Sequence, residues 1–141
     1  MSSPIYTLGY ANWSIAEVDR RLQDLDAWLA DVRQSPHTTK PGFSRPELAD
    51  RLGDRYDHIP ALGNVNYKDG PIELKAPDEG LEQIRTRGLP VVLMCGCASP
   101  ATCHRRIVAE RLCEQVGGTP THLQPPGEEG QPSLFDDMDD E

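Results

Sequence analysis

Residues 91–113 read VVLMCGCASPATCHRRIVAERLC and hold all four cysteines of the chain, Cys95, Cys97, Cys103 and Cys113. An apolar run ending at Cys95 predicts a buried strand over residues 89–95, and Ser99 with Pro100 predicts a helix from about residue 100 to 116. Ligands of open α/β sheets bind beyond the carboxyl ends of the strands. Cys95 sits at such an end, Cys97 in the loop beyond it, and Cys103 in the first helical turn. There the exposed N–H groups and the positive end of the helix dipole favour an anion and lower a thiol pKa. His104 and Arg105 follow directly. A thiolate, an imidazole and a guanidinium at that edge supply a nucleophile, an acid/base and an anion clamp. On this reading Cys103 is the nucleophile or redox centre with Cys95 beside it, His104 moves protons, and Arg105 holds an anion.

The same segment suits a metal. Cys95, Cys97, Cys103 and His104 give the spacing C-x-C-x5-C-H, enough soft and borderline ligands for Zn or Fe. Neighbouring helical residues point about 100° apart, so Cys103 and His104 do not easily share one ion. The metal reading therefore takes three cysteines and an external ligand. A third use is a redox-switch disulfide joining Cys95 or Cys97 to Cys103. Cys113 falls with Ala109, Leu112 and Val116 on one helix face and reads as core packing. For Cys95, packing weighs as much as function.

Other strand ends bring polar groups to the same edge. Tyr10 and Asn12 follow the first strand, Asp31 and Arg33 close the second, and Asn64, Asn66, Tyr67 and Lys68 follow the third. Tyr10, Asp31, Arg33 and Asn64 are thus candidate ligand contacts beside Arg105. Each also has a plainer reading: Asp31 and Arg33 as a surface ion pair, the asparagines as turn residues. His58 and His122 read as ordinary strand residues, and His37 as a loop residue.

The elements that would position these groups alternate between strand and helix. PIYTLGY (residues 4–10), AWLADV (27–32), YDHIPAL (56–62), LPVVLMC (89–95) and THL (121–123) read as strands. Ser14 with Glu17, and Ser44 with Glu47, have capping-box spacing and open helices through about Leu25 and over about residues 45–53. A further helix is expected over about residues 78–87. The pattern predicts an α/β domain over residues 1–123, with a mostly parallel, twisted sheet of about five strands flanked by helices.

Residues 124–141 carry Pro, Gly and seven acids without periodicity, the signature of a disordered acidic tail. All fourteen Lys and Arg and sixteen of the twenty-three acids precede residue 126, so the body is near neutral at −2 while the last sixteen residues carry −7. A near-neutral body offers no broad duplex nucleic-acid surface, though a local Arg-rich cleft for an anion remains compatible with it. No run of eighteen apolar residues is present, and the N-terminus lacks a basic region followed by an apolar stretch. A cytoplasmic protein without a membrane span or signal peptide is therefore expected.

TLGY, LADVRQSP, PGFS, HIPALGN and LMCGCASPATCHR occur in an order that resembles the domain-of-unknown-function 488 family, over about residues 4–123. The resemblance implies a compact α/β domain with these elements around one cleft. The family's characteristic positions then fall on Gly9, Asp31, Arg33, Pro36, Leu62, Gly63, Cys95, Cys103, His104 and Arg105. Two departures stand out. Cys97 replaces the acidic residue that many members carry, and Tyr10-Ala11 replaces their His-Ser or Tyr-Ser. In the tail, QPSLF (residues 131–135) resembles the short peptide that binds the bacterial DNA sliding clamp. Leu134 and Phe135 would fill an apolar pocket and Gln131 would hydrogen-bond at its rim.

Overall fold

A computed structural model of the chain describes residues 4–33, 38–66, 71–96 and 104–125. Among these, five strands form one all-parallel sheet: β1 (Ile5–Gly9), β2 (Trp28–Asp31), β3 (Tyr56–His58), β4 (Val91–Cys95) and β5 (Thr121–His122). Helices α1 (Ile15–Leu25), α2 (Arg45–Leu52), α3 (Pro77–Arg87) and α4 (His104–Val116) alternate with the strands. The α/β class, the parallel sheet and the strand number are those expected. No described helix is long and apolar enough to cross a membrane.

The capping boxes fix two helix starts. The Ser14 N–H donates to Glu17 Oε1 at 2.8 Å while the Glu17 N–H donates to Ser14 Oγ at 3.1 Å. Ser44 and Glu47 repeat the reciprocal pair at the start of α2. The expected strand over 56–62 is shorter than its apolar content suggested. It ends at His58, and Pro60–Leu62 forms a 3-10 turn. Pro60 has no N–H to give a ladder, and Ala61 and Leu62 satisfy their burial from the turn instead.

Spatial order is β3-β2-β4-β1-β5. Side chains of β4 alternate between two cores, as a strand covered on both faces requires. Val91, Leu93 and Cys95 pack with Leu81 and Ile84 of α3 and with Val108, Ala109 and Leu112 of α4. Val92 and Met94 pack on the opposite face with Val18 and Leu22 of α1 and Leu48 and Leu52 of α2. The chain thus moves outward from β1 through β2 to β3 over one face and returns through β4 to β5 over the other. β1 and β4 lie side by side, with Gly9 opposite Cys95, and the helices that follow them, α1 and α4, pack on opposite faces. Such a reversal opens a crevice at the carboxyl edge.

α4 has a buried stripe of Arg105, Val108, Ala109, Leu112 and Cys113, the spacing of a core-facing helix. Arg105 holds a rung that is otherwise apolar. Cys113, 8% exposed and free, is core, as its helix face indicated.

Candidate functional site

At the carboxyl end of β2 the backbone stays locked to its neighbours. The Val32 N–H donates to the Met94 carbonyl at 3.1 Å, and the Ile59 N–H donates to the Asp31 carbonyl at 2.9 Å. This rigid end presents Asp31, fully buried, and Arg33, only 8% exposed. The two form a buried pair, not the surface pair that remained open from sequence. Arg33 Nε donates to Asp31 Oδ1 at 2.7 Å and Nη2 to Oδ2 at 2.6 Å, a two-pronged fork. The Arg33 backbone N–H and the Tyr56 hydroxyl also donate to Asp31, at 3.2 and 2.7 Å. Burial works against the Arg33 charge, but the bonds and charge of Asp31, helped by Tyr10, hold its pKa above the ordinary value. Burial and the adjacent Asp31 carboxylate push the Tyr56 hydroxyl well above its usual range, so it stays protonated and donates.

Asp31 engages two of the three guanidinium nitrogens. The third, Nη1, points to the Tyr10 hydroxyl at 3.5 Å, and the guanidinium carbon lies 5.2 Å from the Tyr10 ring centroid. Tyr10 stacks on Phe43 with centroids 4.7 Å apart. The Tyr10 ring lies beside the end of β4, where a Cβ on Gly96 would make only ordinary van der Waals contact with it, at 3.4 Å from the hydroxyl.

Two imidazoles bracket the same strand end. His104 Nε2 lies 2.7 Å from the Val32 carbonyl oxygen, and His58 Nε2 lies 2.7 Å from the Arg33 carbonyl oxygen. A carbonyl oxygen only accepts, so each Nε2 carries the proton and donates it. In its neutral form His104 therefore keeps a lone pair on Nδ1. Burial lowers the His104 pKa, with the Arg105 charge adding to that effect against the Val32 bond and Asp31. A neutral imidazole with a fixed tautomer is the form needed for a proton acceptor.

On the α3/α4 face, Cys95 is 2% exposed, and Arg105, 1% exposed, approaches its sulfur with Nη1 at 3.5 Å. Cys95 is disulfide-bonded. Its sulfur is therefore not a thiolate in this form, and a metal site using Cys95 would require the reduced protein. No cluster of potential metal ligands occurs among the described residues. Next to this pair, the buried Thr7 hydroxyl lies 2.5 Å from His122 Nδ1. Burial, then the charge of Arg105, lowers the His122 pKa.

No protein-family model, no curated protein and no solved structure matches this chain. Its chemistry is read from these side chains.

The structure brings together Tyr10, Asp31, Arg33, Cys95, His104 and Arg105, all singled out from sequence, on three adjacent strand ends and the start of α4. Asn64 has a different task. Its Oδ1 accepts the Asn66 and Glu73 N–H groups, both at 3.0 Å, and stabilises a small hairpin. Of the remaining candidates, Pro36, His37, Tyr67, Lys68, Cys97, Ser99, Pro100, Cys103, Gln131, Leu134 and Phe135 lie outside the described residues. Sequence reasoning missed Tyr56 and passed over His58 and His122. Their partners Asp31, Arg33 and Thr7 are fixed by cross-strand register, which one strand read alone does not reveal.

Proposed function

We propose that this chain is an enzyme-like α/β domain of the domain-of-unknown-function 488 type. It binds a small anionic or nucleotide-like ligand at the carboxyl edge of β1, β4 and β2. The observation that carries this reading is the guanidinium of Arg33. Asp31 grips it on one side and holds it above its ordinary pKa, so its remaining Nη1 is a pre-oriented donor beside the Tyr10 hydroxyl. Ordering a donor before binding reduces what association must freeze. His104, neutral and tautomer-fixed, accepts a proton at Nδ1. Cys103, which directly precedes His104 in the sequence, is the nucleophile, while Arg105 lies in the core against the Cys95 sulfur.

Titration calorimetry with inorganic phosphate and a nucleoside monophosphate tests the ligand class. Arg33→Lys keeps the charge next to Asp31 but lacks the fork and its spare donors. At least a tenfold weaker binding is expected, with the fold unchanged by circular dichroism. Equal binding by a folded Arg33→Lys variant, or no binding by the wild type, removes the reading. Replacing Cys103 by Ser should abolish iodoacetamide labelling at that position and any turnover. A Cys103 with the reactivity of a free thiol removes it as nucleophile.

A further inference from the structure

We infer that the outer edge of β3 and the adjoining face of α3 form a groove that binds an extended, basic segment of another protein as an added strand. The inference stands apart from the ligand reading, because it uses neither Arg33 nor Tyr10.

β3 ends its side of the sheet, and no other described strand covers its outer edge. The Ile59 N–H donates inward to the Asp31 carbonyl at 2.9 Å. Successive residues of a strand turn their peptide groups to alternate sides, so the N–H and C=O of His58 point outward. A groove of about 590 Å³ lies there, with Asp57 and His58 of β3 on one side and Glu79, Glu82 and Gln83 of α3 on the other. An unpaired strand edge beside a helix offers an extended peptide backbone hydrogen bonds from the strand and side-chain contacts from the helix.

Charge selects the peptide. Asp57, Glu79 and Glu82 set their carboxylates against the guanidinium of Arg87. That guanidinium is already engaged: Nη2 donates to the Asp54 carbonyl, its carbon lies 4.3 Å from the Trp28 ring centroid, and Nη1 lies 3.9 Å from Asp57 Oδ2. Glu79 and Glu82 have no hydrogen-bond or ion-pair partner among the described residues. Residues three apart on a helix stand about 5–6 Å from each other, and alternate residues of a strand about 6–7 Å. Lys or Arg at alternate positions of an added strand therefore reaches both carboxylates. Residues 126–141 of the chain itself carry seven acids and no base, and a second copy would bring its own Asp57, Glu79 and Glu82 against these. Like charge disfavours both of those occupants.

The test uses the full chain and a fluorescent, alternating Lys-Val peptide followed by anisotropy. The peptide is expected to bind, and to bind at least tenfold more weakly when its lysines are replaced by glutamates or its central residue by proline, which has no N–H to give. Glu82→Lys should weaken it by at least the same factor and Glu82→Gln by less. Residue 82 is exposed, so both variants should keep the wild-type circular dichroism. Saturation with the Lys-Val peptide should also slow amide hydrogen exchange at His58, the signature of a new backbone hydrogen bond. Absence of binding overturns the inference, as does equal binding by the Glu-Val peptide or by a folded Glu82→Lys protein. Binding that leaves His58 exchange unchanged overturns it too. Displacement of the labelled peptide by a synthetic peptide of residues 126–141 would give the groove to the chain's own tail. Self-association by sedimentation that Glu82→Lys abolishes would give it to a second copy, and either result refutes a basic partner.

Discussion

The buried pair of Asp31 and Arg33 makes a strong energetic prediction. Asp31 is fully buried and receives hydrogen bonds from Arg33 Nε, Arg33 Nη2, the Arg33 backbone and Tyr56. Removing one member leaves the other charge enclosed without its counter-ion, which costs about 3–5 kcal/mol. Asp31→Leu and Arg33→Met should each lose that amount, a large part of the roughly 5–15 kcal/mol that holds a domain together. Replacing both removes both charges, and an apolar pair of similar volume is often neutral. What remains is the Tyr56 hydroxyl left without its acceptor, about 1–3 kcal/mol. The double variant should therefore lose about 1–3 kcal/mol, where adding the single losses gives about 6–10 kcal/mol. Urea unfolding followed by tryptophan fluorescence reads this directly, since Trp13 and Trp28 are 1% and 7% exposed and both report on the core. Losses that add to within about 0.5 kcal/mol would refute the coupling and show two energetically independent groups.

Two more outcomes are expected of the folded chain. His104 and His122 both have pKa values lowered in the folded chain, first by burial. The unfolded chain then binds more protons between the ordinary histidine range and those lowered values, so stability present above the unfolded pKa is lost as pH falls. The urea midpoint should drop on acidification through that window and drop less in His104→Asn, whereas a flat or rising midpoint contradicts the assignment. Gly80→Ala should destabilise although alanine usually improves a helix interior by roughly 0.5–1 kcal/mol. A Cβ at residue 80 would lie 2.4 Å from Cγ of the buried Leu62, an overpacking that costs about 1–3 kcal/mol. A raised melting temperature would show that Leu62 has room to move.

Local signals in the sequence placed the helices and the central strand. Ser14 with Glu17 and Ser44 with Glu47 mark helix starts because capping needs only residues three apart. VVLMC reads as a strand buried on both faces because no polar residue interrupts it. The gathering of Tyr10, Asp31, Arg33, Cys95, His104 and Arg105 was also legible, since all lie at the ends of those elements. The burial of Arg105 was available too. Counting back from Leu112, Ala109 and Val108 by helical spacing reaches Arg105. The Tyr56–Asp31 and Thr7–His122 contacts were not legible, because they depend on which strands are neighbours and in what register. The end of β3 at His58 turned on Pro60, whose effect outweighed the apolar residues that follow it.

Strand order has a consequence for how this chain is made. β1 precedes the other described strands of the sheet in the chain, yet both of its neighbours, β4 and β5, come from beyond residue 90. β2 likewise waits for β4 on one side. A nascent chain therefore carries Ile5, Leu8 and Leu29, all buried in the finished protein, with their sheet incomplete until β4 has been made. Ribosome-bound intermediates that stop before Val91 would present unpaired apolar strands to chaperones and proteases. Emergence of VVLMC, which inserts between β1 and β2, would join the two halves of the sheet, with α4 and β5 still to close over it.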